Sequence, residues 1–357
     1  MVEKLKEHGN LWTPPVEKAF LATRREHFVP EQAGSLPFLY DPINAVPISF
    51  DARGTPVSSS SAPSIMAPML EMLKVEPGQR ILEVGAGTGY NAALLKKLTG
   101  PSGRVVSVDI DAATARRARS ALRGDGTAVT VVTGDGRLGW SRGAPYDRLI
   151  VTASSPDLPD SWFEQLRPGG IVVLPLQVRG MPGQLVVAMR KESERFVSTG
   201  MVFGGFMSLR SSPTDLSPTG ASISGGGFSL SGARFGRPRL AAQAVRTLEG
   251  RRQRSRLRDV ALLFVAFVMT EAGDAYVTAM GGDSPVGFGV LGARGRSVAL
   301  VRGTWGNLTY RDSWGDGDAR QRLDELMRRW RAFGRTPPRL KVSAHPGRAP
   351  RFRWTAQ

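Results

Sequence analysis

The sequence predicts a doubly wound, Rossmann-like α/β domain followed by a smaller C-terminal α/β domain. Three observations support this prediction. Short apolar runs alternate with helical patterns between about residues 74 and 189, a glycine-rich turn follows the first of these runs, and a Ser/Gly/Pro-rich stretch separates this region from a second mixed one. Continuous apolar runs are typical of strands that are buried on both faces of a parallel sheet.

The core elements are predicted from these runs in chain order. Six strands are expected: RILEVG (80–85), RVVSVD (104–109), VTVVTG (129–134), DRLIVT (147–152), IVVLPL (171–176) and QLVVAM (184–189). Helices are expected at NAALLKKL (91–98) and AATARRARSAL (112–122). The triplet Pro168-Gly169-Gly170 is expected to end the helix SWFEQLR before the next strand begins.

Composition divides the chain into three parts. Residues 1–210 contain the alternating pattern and form the predicted catalytic domain. Residues 211–238 are rich in Ser, Gly and Pro and are expected to be a linker or long loop. Residues 239–357 are expected to form the C-terminal extension, which includes an amphipathic helix at DGDARQRLDELMRRWRAFGR and hairpin strands before it.

The residue content excludes several classes of chemistry. The chain has no cysteine and only three histidines, which excludes disulfides, thiolate zinc sites, thiol nucleophiles and histidine-rich metal centres. No apolar stretch reaches the length of about 18 residues that a membrane span needs. The polar, acid-containing N-terminus does not fit a signal peptide. We therefore expect a cytoplasmic protein with no metal and no membrane partner.

The charge is strongly positive. Lys and Arg total 48 against 31 Asp and Glu, a net charge of +17. Such a surface attracts polyanions or acidic peptides, and it is equally compatible with a solvated surface in an arginine-biased genome.

The ends of three successive strands carry the residues that suggest a ligand. Gly85, Gly87 and Gly89 follow the first strand, Asp109 ends the second, and Asp135 lies in the GDG that follows the third. The glycines permit a tight turn and close approach of a ligand, a carboxylate at the second strand can accept from ribose hydroxyls, and one after the third can reach an adenine amino group. This combination suits S-adenosylmethionine, since a nicotinamide dinucleotide does not require the third element.

Longer motifs carry a resemblance to a known family. The stretch GDGRLGWSRGAPYDRLIVTASSPDLPDSWFEQLRPGGIVVLPL (134–176) closely resembles the protein-L-isoaspartate O-methyltransferase family. RREHFVP (24–30) is similar to that family's arginine-led element, and LYDPINAVPI (39–48) is similar to its Y-x-D segment. The resemblance covers roughly residues 15–207 and implies a methyltransferase fold that binds S-adenosylmethionine.

The resemblance also implies a set of site residues. The family's T-I-S-A-P element aligns with SSSAP here, which makes Ser61 the expected catalytic serine and places Ser59 at the family's threonine; Ser60 departs from the usual isoleucine, and the segment before it is altered. The expected cofactor contacts are Ser58, Ser59, Ser60, Glu83, Gly85, Ala86, Gly87, Gly89, Asp109, Ile110, Gly134, Asp135 and Gly136.

The implied reaction transfers a methyl group to an Asp or isoAsp carboxylate of a peptide. A carboxylate is already ionised at neutral pH, so no general base is needed. The ester can then cyclise to a succinimide (aspartimide). The long C-terminal extension and arginine-rich composition favour a branch of the family, found beside ribosomal peptide clusters of actinobacteria, that tailors a modified peptide.

Three alternatives stay open. The chain can be a general isoaspartyl repair enzyme, or its extension can serve only oligomerisation. A nucleic-acid-associated methyltransferase or binding protein is suggested by the charge and by RTLEGRRQRSRLR (246–258). Nucleic acid is not the expected partner, however, because that basic run carries no interleaved aromatic residues.

Overall fold

The computed structural model describes two compact units. It covers residues 1–50, 54, 56–177, 184–206, 209, 221–225, 228–232, 237–260, 262–272, 275–281, 284–304, 307–333 and 339–355. The first unit comprises Met1–Leu176, Leu185–Leu216 and Val342–Arg351. The second comprises Gln177–Gln184, Ser217–Lys341 and Phe352–Gln357.

The first unit contains the predicted α/β pattern. Its elements are α1 (Val2–Glu7), α2 (Pro14–Leu21), α3 (Leu36–Leu39), β1 (Val46–Phe50), β2 (Pro56–Ser60), α4 (Pro63–Leu73), β3 (Arg80–Val84), α5 (Tyr90–Thr99), β4 (Arg104–Asp109), α6 (Ala112–Gly124), β5 (Thr130–Thr133), β6 (Tyr146–Val151), α7 (Asp160–Gln165), β7 (Leu166–Gln177), β8 (Gln184–Lys191) and β9 (Phe196–Gly204). The six predicted strands and two predicted core helices are confirmed.

The later elements form the second unit and the end of the chain. They are β10 (Ala221–Gly225), β11 (Phe228–Gly232), α8 (Pro238–Leu248), β12 (Gln253–Val260), α9 (Leu262–Ala272), β13 (Tyr276–Gly281), β14 (Ser284–Leu291), β15 (Ser297–Thr304), β16 (Asn307–Gly315), α10 (Asp318–Arg331), β17 (Arg339–Ala344) and β18 (Arg351–Thr355).

A mixed sheet with a parallel central part organises the first unit. Its strands include, side by side, β17-β9-β8-β7-β6-β3-β4-β5. β3 pairs in parallel with both β4 and β6, β4 pairs with β5, and β6 pairs with β7. Apolar side chains of β3, β4 and β6 are buried, as strands covered on both faces require. The prediction of a Rossmann-like fold with a further C-terminal domain is confirmed.

The Pro-Gly-Gly triplet does not separate a helix from a strand. α7 already ends at Gln165, and β7 begins at Leu166, so the triplet lies within β7. Tyr146 pairs with Leu166 and Arg148 with Ile171, so the register between β6 and β7 shifts across the triplet. Gly169, with φ 74°, takes up this irregularity. The turn-forming residues act here as a bulge.

The N-terminal helices are attached to the core through one buried carboxylate. Glu71, in α4, accepts from the backbone N–H groups of Trp12 and Thr13 at 2.8 Å each and from the Thr13 hydroxyl at 2.6 Å. α1 and α2 pack against α4, and Leu5, Phe20 and the apolar side of α4 enter the main core. This attachment fixes α4, whose N-terminus follows the predicted catalytic serine.

The second unit contains an antiparallel sheet in the order β10-β11-β13-β14-β15-β16-β12. α8 packs on β10 and β15, and α10 packs on β14 and β15. The core residues are Leu230, Ala244, Leu248, Val277, Ala279, Leu291, Val298, Leu300 and Trp314.

The segment expected to be a linker contains two of these strands. β10 and β11 form a hairpin in which Ile223 pairs with Leu230. The sequence ASISG…FSLSG alternates small polar and apolar residues with the period of a strand, and this pattern outweighs its loop-like composition.

A short segment near the end of the predicted extension belongs to the first unit rather than to the second. Val342–Arg351 lies in that unit, where Ser343 pairs with Val197 and Ala344 with Phe196. Gly347 N–H also donates to the Leu158 carbonyl at 3.1 Å. The segment 239–357 is therefore divided between the two units. Within the described residues, no helix is both long and apolar enough to cross a bilayer.

Candidate active site

The glycine turn lies where the direction of the sheet order changes. β4 and β5 extend from one side of β3, and β6 and β7 extend from the other, which is where open α/β sheets bind ligands. Gly85, Gly87 and Gly89 have φ values of 97°, 52° and 87°. A Cβ atom at Gly85 would lie 2.3 Å from Thr152 Oγ1, and one at Gly89 would lie 3.2 Å from the Ala118 carbonyl. Backbone geometry and space therefore both require glycine here.

Asp109 connects this turn to the end of β4. Its Oδ2 accepts from the backbone N–H groups of Ala86 (3.0 Å) and Gly87 (3.2 Å), and its Oδ1 accepts from that of Asp111 (3.0 Å). Burial raises the pKa of Asp109, although these three N–H groups act in the opposite direction. Ile110, half-buried, follows it before Asp111 caps the N-terminus of α6. The carboxylate thus fixes the shape of the turn.

The third strand end meets the other two. The Gly134 N–H donates to the Asp109 carbonyl at 2.9 Å, which ties the end of β5 to β4. Asp135, half-buried, accepts from the Arg137 N–H at 2.8 Å. A Cβ atom at Gly136 would lie 2.3 Å from Val84 Cγ1, at the end of β3. The structure therefore brings together the three elements that the sequence predicts.

Two residues of α7 form hydrogen bonds to the backbone of the turn after Asp135. Neither is among the site residues that the sequence predicts. Trp162 Nε1 donates to the Gly136 carbonyl at 2.8 Å. Gln165 donates to the Leu138 carbonyl at 2.8 Å and accepts from the Trp140 N–H at 2.7 Å. The signal was present, since both residues lie inside the SWFEQL part of the long motif.

Glu83 lies beneath the turn with no exposed surface. Its Oε1 accepts from Asn91 Nδ2 at 2.7 Å, and its Oε2 accepts from the Ser107 hydroxyl. Burial raises the pKa of Glu83 to about 7, against these two hydrogen bonds, and the neighbouring Asp109 charge raises it further. Glu83 therefore braces the strand ends beneath the site.

The four serines lie on a hairpin against the glycine turn. Ser58, Ser59 and Ser60 belong to β2, which pairs antiparallel with β1. Ser61 follows β2 and is separated from α4 by Ala62. The Ser59 carbonyl lies 3.3 Å from the Cβ position of Gly87. Ser58, Ser59 and Ser61 are half-buried, whereas the Ser60 hydroxyl is buried with no hydrogen-bond partner among the described residues.

Arg25 joins the two N-terminal motifs to the serine segment. Its guanidinium donates to the carbonyl oxygens of Leu39 (2.7 Å), Asn44 (3.1 Å) and Ser61 (3.1 Å). The motifs RREHFVP and LYDPINAVPI predicted the family, but no role was predicted for this arginine. Its position at the head of the first motif was the available signal.

Comparison with known proteins identifies the family. The profile of the protein-L-isoaspartate(D-aspartate) O-methyltransferase family matches residues 1–209. This chain belongs to that family. It is 40% identical over 196 residues to the protein-L-isoaspartate O-methyltransferase of Methanopyrus kandleri, covering 54% of this chain and 83% of that one. It is 34% identical over 210 residues to that of Methanothermobacter thermautotrophicus, covering 58% and 93%.

A solved structure described as a protein-L-isoaspartate O-methyltransferase has the same fold over nearly the whole chain. The TM-score is 0.56 at 23% identity, and the match covers 99% of both chains. Together with the family match, the site identifies a carboxyl O-methyltransferase dependent on S-adenosylmethionine. The glycine turn, which has no room for side chains, and the carboxylates that follow at the end of β4 and just after β5 fit that cofactor. The described residues include no cluster of acidic or histidine side chains that could hold a metal ion.

Glu83→Gln should make unfolding less sensitive to pH. A carboxyl whose folded pKa is raised to about 7 holds its proton in the folded state and loses it in the unfolded state. The fold is therefore destabilised as pH rises from the unfolded pKa towards 7, by up to about 1.4 kcal/mol for each pH unit. The free energy of unfolding of the variant, relative to wild type, should increase between about pH 5 and pH 8.

Urea unfolding at both pH values measures this difference. Glu164→Gln is the control, since Glu164 is an exposed glutamate of α7. A difference between Glu83→Gln and wild type that does not change with pH would exclude the buried carboxyl as its source.

Proposed function

We propose that this enzyme methylates the carboxylate of an isoaspartyl or aspartyl residue in a peptide or protein substrate. The observation that carries the proposal is the contact between the serine segment and the glycine turn: the Ser59 carbonyl lies against Gly87, two residues before Ser61. A substrate carboxylate bound at Ser61 would then lie beside a cofactor bound at the turn. Names and motifs of relatives that act on isoaspartyl residues support the same substrate.

The cofactor contacts follow from the same geometry. S-adenosylmethionine supplies the methyl group when bound, and the predicted contact residues at the three strand ends and on β2 would hold it. Glu83 is the exception, because it has no exposed surface and its carboxylate accepts from Asn91 and Ser107. A carboxylate offers about four acceptor positions, and three backbone N–H groups already use three of those on Asp109. A ribose hydroxyl can take the remaining position, and a second one would have to displace the 3.2 Å bond from Gly87.

Asp109→Ala should weaken cofactor binding at least tenfold. A hydrogen bond to a charged group contributes about 1.5–3 kcal/mol, and the variant also releases the turn amides. Isothermal titration of S-adenosylhomocysteine measures the affinity. Asp111→Ala is the matched control, since it removes the α6 cap of the Thr114 N–H (2.7 Å) but leaves the Asp109 carboxylate in place. Equal affinity of Asp109→Ala and wild type would refute the assignment.

The proposed chemistry requires positioning more than proton transfer. An Asp-type carboxyl has a pKa near about 4 and is ionised at neutral pH. Holding one of its oxygens in line with the methyl carbon is proximity catalysis. Ser61 would orient the carboxylate through its hydroxyl. A covalent role does not fit, because among the described residues no histidine hydrogen-bonds to Ser61 to activate it.

Ser61→Ala should lower turnover strongly and leave cofactor affinity almost unchanged, because the lost contact belongs to the acceptor. A single-turnover methylation assay on an isoaspartyl peptide measures the first quantity, and titration of S-adenosylhomocysteine measures the second. Ser64→Ala, three residues further in α4, is the matched serine control. If Ser61→Ala turns over like wild type, the orienting hydroxyl belongs to Ser59 or Ser60 instead.

Repair of proteins and tailoring of a ribosomal peptide are the two branches of this proposal. The likeness to a protein-L-isoaspartate O-methyltransferase structure over 99% of both chains supports repair, because a C-terminal region of similar fold accompanies an enzyme of that description. The basic extension favours tailoring. Exposed arginines on α8 and shortly before β12 suit an acidic, constrained peptide: Arg239, Arg246 and Arg251. In the tailoring branch, an Asp methyl ester would cyclise to the aspartimide.

Arg246→Gln/Arg251→Gln tests recognition by the extension. If this surface attracts an acidic peptide, the double variant should raise KM for that peptide several-fold at low salt, with less effect at high salt. KM for a neutral isoaspartyl peptide should not change. Arg116→Gln/Arg123→Gln removes the same charge from exposed positions of α6 and is the control. If both double variants change KM for the acidic peptide equally, the extension does not recognise the charge of the substrate. Sedimentation analysis then tests whether the extension serves oligomerisation.

A further inference from the structure

Arg25 is a fully buried cation at the edge of the proposed acceptor site. Its exposed fraction is 0%, and it lies in the short turn Arg25–His27 that follows α2. Its two terminal nitrogens donate to three carbonyl oxygens, two in the motif LYDPINAVPI and the third that of Ser61. The planar fork of arginine suits this arrangement, because its donors point in fixed directions.

No carboxylate among the described residues pairs with Arg25. Its hydrogen-bond acceptors are all neutral carbonyls, and burial lowers the pKa of its guanidinium. The Glu26 carboxylate accepts instead from the Tyr40 hydroxyl and from Arg24 Nε. Burying a charge without an opposite charge is costly, so such a group is retained where its charge has a use.

Three buried polar atoms in this region have no hydrogen-bond partner among the described residues: one on Arg25 itself, one on a residue that contacts it, and one on a residue next to Ser61. Arg25 Cζ lies 5.9 Å from the ring centroid of Tyr90, whose hydroxyl is buried and has no partner within the described part of the chain. The same holds for the hydroxyl of Ser60 and for Arg25 Nε. Native structures rarely leave buried donors unpaired, and unpaired ones often mark a place where a ligand or ordered water belongs.

We propose that Arg25 is the positioning residue of the acceptor site: its fork fixes the Ser61 backbone, and its unpaired charge makes the site select a carboxylate over a neutral amide. This inference rests on the proposed role of Ser61. Arg25 does not touch the substrate, since it is fully buried. It acts through the Ser61 carbonyl and through its field, which is strong in a region of low effective dielectric constant.

The two contributions of Arg25 can be separated by substitution. Arg25→Lys keeps the charge and loses the three-way fork, whereas Arg25→Gln loses both. Arg24→Gln is the matched control, because Arg24 is the adjacent, largely exposed arginine. Each variant is saturated with S-adenosylhomocysteine and titrated with an isoaspartyl peptide and with its counterpart in which the acceptor carboxyl is a carboxamide. Turnover on the carboxylate peptide is measured in parallel.

The expected pattern is specific to charge. Wild type and Arg24→Gln should prefer the carboxylate peptide at least tenfold. Arg25→Gln should lose at least tenfold in affinity for that peptide and less than twofold for the amide. Arg25→Lys should retain most of the preference while kcat falls. If Arg25→Gln does not fold, as judged by loss of S-adenosylhomocysteine binding, Arg25→Lys alone decides between preference retained and preference lost.

Two results would overturn the inference, and a third concerns the proposed function alone. Equal losses for both peptides, or an Arg25→Lys that prefers the carboxylate no more than Arg25→Gln does, would leave Arg25 a purely structural residue. Unchanged preference in Arg25→Gln would remove its electrostatic role. If wild type itself neither binds nor methylates the isoaspartyl peptide, the proposed substrate is wrong, and that failure is visible without any variant.

Discussion

The Asp109 carboxylate is the contact on which the geometry of the site depends. It holds the N–H groups of Ala86 and Gly87 and thereby fixes a turn whose glycines have left-handed backbone angles. The Ser59 carbonyl packs against Gly87 in this turn. The position of the serine hairpin therefore also depends on the Asp109 carboxylate. Under the proposed binding of the ribose by Asp109, one carboxylate would link cofactor binding to the placement of the acceptor residues.

Two buried ionisable groups brace the elements that meet at this contact, and burying each of them costs stability. Glu83 braces the ends of β3 and β4 through Ser107 and Asn91, and its pKa is raised because water is excluded. Arg25 braces the serine segment through the Ser61 carbonyl and has only neutral hydrogen-bond acceptors among the described residues. Both groups lie next to the proposed reaction centre rather than in the remote core. This distribution is expected where electrostatic preorganisation, rather than maximum stability, determines which residues are buried.

The sequence was sufficient for the elements whose signal is local. Continuous apolar runs identified β3 to β8, and the three strand-end motifs identified the residues that meet at the turn, because parallel strands bring their carboxyl ends to one edge. Signals that depend on partners far along the chain were missed. The strand β17 pairs with β9 although most of the second unit lies between them in the sequence, and nothing in the composition of β17 indicates this pairing. The β10–β11 hairpin and the bulge at Gly169 were hidden by loop-forming residues. The role of Arg25 could not be predicted from the sequence, because its three acceptors are backbone carbonyls, which every residue type has.

The arginines of the extension show why net charge alone is a weak argument for binding. Arg254, on β12, forms a bidentate salt bridge with the fully buried Asp312, with N–O distances of 2.7 and 2.8 Å. Its guanidinium also lies 5.0 Å from the centroid of the Tyr310 ring. Its charge is therefore balanced locally and serves the cohesion of the sheet. The exposed arginines of α8, together with Arg251, are different, because a solvated side chain keeps its field available to a partner until salt screens it. Any electrostatic contribution of the extension to substrate choice must come from this second group, and so from the surface of the second unit rather than from its sheet.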